Sequence, residues 1–119
     1  MKYMLTIWAD ESAEVTPEER AAALTATTSW VDEMTRRGVL LHGGPLRSVS
    51  EAKTVRVYDG EVLVADGPFA ETKEQIGGYA VVECADLDAA IAVAAAHPVA
   101  RTATIEVRPF WEDAPWDSK

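Results

Sequence analysis

Apolar side chains recur along this chain at two spacings, and the spacing changes from segment to segment. Met1 to Ala9 sets Tyr3, Leu5 and Ile7 against Met4, Thr6 and Trp8. This is a period-two pattern with sizeable apolar groups on both sides, which predicts a central strand covered on both faces. An acidic loop, Asp10 to Val15, leads into Thr16-Pro17-Glu18-Glu19. There a hydroxyl can cap the helix, proline fits its first position, and a glutamate at the third can close a capping box. The helix so begun is predicted to end at Arg36 and Arg37, with Gly38 in the left-handed position after it. Its expected buried stripe is Leu24, Thr27, Trp30, Val31 and Met34.

Val39 to His42 predicts a short strand stopped by Gly43-Gly44-Pro45. Thr54 to Tyr58 and Glu61 to Ala65 then alternate on either side of Asp59-Gly60, the dipeptide of tight hairpin turns. Gly78 to Cys84 and Thr104 to Pro109 are the remaining strands. Between them Asp86 caps a second, alanine-rich helix, Leu87 to Ala96, with Leu87, Ile91 and Ala94 or Ala95 expected inward. The order βαβ, hairpin, βαβ predicts an α+β fold: a ferredoxin-like split βαβ sheet with an inserted β-hairpin. Right-handed crossovers place both helices on one face, so the other is expected to be covered by a second copy of the chain.

Composition narrows the function classes. At 119 residues, 48% hydrophobic and 26% charged, the chain is one ordinary globular domain, read as residues 1–109 with an aromatic, acidic tail over 110–119. A formal charge of −9 repels a phosphate backbone and argues against direct nucleic-acid binding. No apolar run has the length of a membrane span and no signal peptide is evident, so no membrane partner and a cytoplasmic location are expected. Cys84 is the one cysteine and is expected to be a buried core thiol. Two distant histidines and scattered acids predict no metal and no cofactor, and hydrolase, phosphate-loop and dinucleotide fingerprints are absent.

The densest run of special residues is Asp66 to Tyr79. Asp66-Gly67-Pro68 can only turn, Gly77 and Gly78 predict a bulge or a close backbone approach, and Glu71, Lys73 and Glu74 lie between. Asp66 can accept backbone N–H groups in the turn, or act as a carboxylate base or anchor at a cleft. Lys73 with Glu71 or Glu74 can form an exposed ion-pair cluster or clamp an anion. His42, before the double glycine, is either a structural histidine or a pocket acid/base, and Trp30 either packs or lines a pocket edge. For His97, the negative end of the helix dipole is reason enough.

Asp66-Gly67-Pro68-Phe69 followed by Glu71-Thr72-Lys73-Glu74 and Gly77-Gly78 resembles the signature of the YCII-related family in its DGPF-type branch, and nearly the whole chain fits. The resemblance implies a dimeric α+β barrel in which two sheets face one another. It also implies an association of such domains with alternative sigma factors. Smaller YCII proteins carry a helix-borne histidine paired with an aspartate as a supposed catalytic pair. The first helix here has no histidine, so only Asp66 carries over, with His42 as the available substitute. The expected function is a small homodimer with a small-molecule pocket near the DGPF loop, flanked by Asp66, Lys73 and His42. That pocket would bind a metabolite or perform acid/base chemistry; the alternative is a protein-interaction module that accompanies a sigma factor.

Overall fold

The computed structural model describes residues 1–116. Its elements follow the order β1 (Lys2–Ala9), α1 (Pro17–Arg36), β2 (Leu40–Pro45), β3 (Lys53–Tyr58), β4 (Glu61–Asp66), β5 (Gln75–Glu83), α2 (Leu87–Ala96) and β6 (Thr104–Pro109). Short 3-10 turns, Val49–Glu51 and Pro98–Arg101, lie before β3 and after α2. Four strands make one antiparallel sheet in the order β2-β5-β1-β6, while β3 and β4 pair only with each other. The fold is α+β and consistent with the ferredoxin-like plan, the hairpin standing apart as an insertion.

The local signals act as the residue types require. Thr16 Oγ1 accepts the Glu19 amide at 3.0 Å and Glu19 returns a carboxylate oxygen to the Thr16 amide at 2.9 Å, closing the capping box. Gly38 ends α1 at φ +74°, and Asp59 and Gly60 turn the hairpin at φ +52° and +81°. Both helices pack on one face, where Tyr3, Leu5, Ala80, Val82 and Cys84 meet Trp30 and Met34 of α1 and Ala90, Val93 and Ala94 of α2. Cys84 is buried there, and burial pushes its thiol pKa up. Register puts Met4, Thr6, Trp8, Ile76, Tyr79 and Val81 on the opposite face. Thus Trp8 and Tyr79 belong to that open face, whereas Tyr3 and Val82 belong to the core.

Three expectations are corrected. The β2 strand does not stop at His42: it continues to Pro45, because an edge strand can spare the N–H that proline lacks. Leu24 and Val31 are exposed, since both line an open cleft between α1 and the sheet instead of packing on side chains below. In α2 the inward row is Ala90, Val93 and Ala94, leaving Leu87 and Ile91 exposed. Asp88 is the one polar residue of that helix, so its pattern could not select a face.

Candidate functional site

Glycine creates a cleft between α1 and the sheet. On the helix face of the sheet, Tyr3, Leu5, Ala80 and Val82 fill the space below the C-terminal half of α1. Further along the same face the positions belong to Gly43 and Gly78, which offer no side chain. A Cβ on Gly43 would stand 2.7 Å from the Tyr79 carbonyl oxygen and 3.0 Å from Ala80 Cα; one on Gly78 would stand 3.2 Å from the Gly44 carbonyl oxygen. The glycines therefore let β2 and β5 approach closely, and β5 bulges at Gly77, the residue left unpaired where Ile7 faces Gly78 and Trp8 faces Ile76. Above this bare floor, α1 roofs a cleft of about 550 Å³, within the range of small-molecule sites.

The cleft is predominantly apolar, with Ile7, Leu24, Val31 and Leu40 among its walls, and its polar groups are few. Trp30 and His97 line it together, their ring centroids 4.5 Å apart. Trp30 donates its indole N–H to the Val93 carbonyl at 3.1 Å, and His97 Nδ1 accepts the Val99 amide at 3.0 Å. That bond assigns the neutral tautomer: Nδ1 holds the lone pair, so Nε2 carries the hydrogen. His97 is 6% exposed, and burial pushes its pKa below the ordinary value. It is a neutral donor near pH 7, and the dipole role expected for a charged His97 does not apply. The third group is Arg20, at the exposed end of α1, whose guanidinium joins no ion pair among the described residues.

Set beside known proteins, the chain matches the family model described as "YCII-related domain" over residues 1–114. It belongs to the YCII-related family. That match reaches past β6 into the aromatic tail. An "Uncharacterized protein R00369" of Rhizobium meliloti (strain 1021) is 48% identical over 63 residues, 50% of this chain and 49% of the relative, so the match spans about half the length of that protein.

Within this YCII-related chain the six residues singled out from the sequence lie in separate places. Asp66 ends β4, its side chain 86% exposed, and pairs with Lys53 directly opposite in the ladder rather than with a backbone amide of its turn. The turn is held instead by Gly67, at φ +90°, whose N–H donates to the Ala52 carbonyl at 2.8 Å. His42 lies on the open face, its Nδ1 hydrogen-bonded to the Tyr79 hydroxyl. Lys73 is near enough to Asp10 to help lower that carboxyl's pKa, after the larger effect of hydrogen bonds from Ser12. Glu71 and Glu74 are exposed in the same loop. Trp30 alone of the six lines the cleft under α1.

A second cleft, about 520 Å³, does adjoin the DGPF loop. Its walls include Trp8, Leu46, Phe69 and Ile76, and none of the six candidates. Among the described residues no three His, Cys, Asp or Glu side chains gather as metal ligands, and no helix is long and apolar enough to cross a membrane. Sequence reading missed Arg20 and His97. A signal for Arg20 existed, since residues 20, 24, 27 and 31 continue one helical face. His97 had none, because its burial depends on α1 crossing above it.

Proposed function

We propose that this YCII-related protein binds a small, mostly apolar organic anion in the cleft under α1. The observation that carries this reading is the composition of that cleft: an apolar floor and roof, a wall of tilted Trp30 and His97 rings with one imidazole N–H, and a guanidinium with no ion-pair partner among the described residues. An apolar body would be desolvated between α1 and the glycine floor, while its charged group would meet Arg20 at the rim. Binding is better supported than acid/base chemistry. The Nε2 hydrogen of a neutral imidazole is shared in a hydrogen bond rather than released near pH 7, and Nδ1 is occupied by the Val99 amide. Asp66 and His42 take no part in this reading.

In the same reading the protein acts as a homodimer with two open sheet faces opposed, the arrangement the family resemblance implies. Its support is that Met4, Trp8, Ile76 and Val81 are only partly buried within one chain. Association with a sigma factor rests on the resemblance alone.

The test is amide chemical-shift mapping with 2-naphthoate and with uncharged 2-naphthalenemethanol. Both should perturb Gly78, Val31 and His97, and Arg20→Gln should weaken naphthoate several-fold while leaving the alcohol unchanged. Shifts confined to Phe69, Gln75 and Ile76 would move the site to the DGPF side and end this reading.

A further inference from the structure

The β3–β4 hairpin is exposed on both faces among the described residues. Every residue of β4 is exposed, as is every residue of β3 except Thr54. The register sets Val55 opposite Val64 and Val57 opposite Val62, so four valines stand on one face at 61, 62, 69 and 66% exposure. Lys53 and Asp66 close the root of that same face as an ion pair. Thr54, Arg56, Tyr58, Glu61, Leu63 and Ala65 occupy the other. Two strands alone are marginal in water, and β-branched residues favour strands by packing against a neighbour. The Cα radius of gyration, 16.5 Å, exceeds the roughly 13.5 Å of a compact chain of this length, as a projecting arm requires.

We propose that the Val55–Val57–Val62–Val64 face is an interface between two copies of this chain, each arm lying against the other copy. The inference deepens the homodimer reading above and rests on it. Continuity with the open sheet face is the first argument. Ala52 and Pro68, which flank the arm's root, line one cleft together with Trp8 and Ile76 of that face. The root of the arm therefore borders the open face, and a two-fold axis that opposes two open faces brings each arm beside the other copy.

Area is the second argument. Four valines so exposed present about 400 Å² per arm; two arms and the equal area they cover come to about 1,600 Å², the size of a standard stable interface. Charge is the third. Two chains of −9 repel over most of their surface, and the valine face is neutral, its only charges being the paired Lys53 and Asp66.

The experiment replaces all four valines by threonine, which keeps β-branching and shape but removes the apolar surface. Sedimentation of wild type, the four-threonine variant and an open-face variant, Val81→Glu, gives the dimer constants. The wild type should be dimeric at micromolar concentration, and the threonine variant should dissociate at least about tenfold more readily with an unchanged circular dichroism spectrum. If only Val81→Glu weakens the dimer, the arm proposal fails and the sheet-face reading survives. A monomeric wild type removes both. Should the threonine variant not fold, hydrogen exchange of the wild type decides: amides of residues 53–66 should gain protection as concentration rises, and protection independent of concentration overturns the proposal.

Discussion

Trp30 and His97 stand face to tilted face, centroids 4.5 Å apart, and each also holds a backbone group of the chain around α2. The indole binds Val93, a carbonyl of the last turn of the helix, and the imidazole binds the amide of Val99 just beyond it. One aromatic pair thus ties α1 to the end of α2 and forms the polar corner of the cleft.

This arrangement sets a pH dependence. Burial holds the folded-state pKa of His97 below 6.5, so the unfolded chain binds the proton more readily than the folded one. The stability due to neutral His97 is fully present above about pH 6.5 and is lost as pH falls through the depressed folded value. Melting temperature should drop between pH 7.5 and 5, and His97→Asn, whose side-chain oxygen can accept the Val99 amide, should flatten the drop. Parallel curves for the two proteins would mean that His97 does not govern it.

Trp30→Phe removes the donor to the Val93 carbonyl, a group at the helix end where intrahelical partners run out. The lost hydrogen bond and indole volume should destabilise the fold by about 2 kcal/mol in urea unfolding.

The glycine floor makes a paired prediction. Gly43→Ala drives a methyl into the backbone of β5 and should cost about 1–3 kcal/mol. Gly44→Ala, one residue on, meets nothing within 4 Å and should stay within about 0.5 kcal/mol of wild type. Equal effects at both positions would show that close strand approach is not the reason for Gly43.

Asp66→Asn and Asp66→Ala should behave alike in denaturant. The carboxylate pairs with an exposed Lys53 and caps no amide among the described residues, so either change should alter stability by less than about 1 kcal/mol. A penalty confined to Ala would restore the turn-closing role expected from the sequence.

The sequence by itself determined every element whose cause is local. The capping box at Thr16, the hairpin turn at Asp59-Gly60 and the left-handed Gly38 act between residues a few positions apart, and their chemistry is complete within the segment. The family signature was legible for the same reason, being a contiguous run of turn and loop residues. What only the tertiary structure decided are relations across the chain. The alternation of β1 left its two faces equivalent, and the helices alone made Tyr3 core and Trp8 open. The Asp59-Gly60 turn sets Lys53 opposite Asp66, but the structure decided that the carboxylate goes to this lysine and not to an amide of its own turn. The cleft is the strongest case. Its floor comes from glycines on two strands, its roof from α1 and its polar corner from a histidine beyond α2, so it exists only where packing brings those segments together.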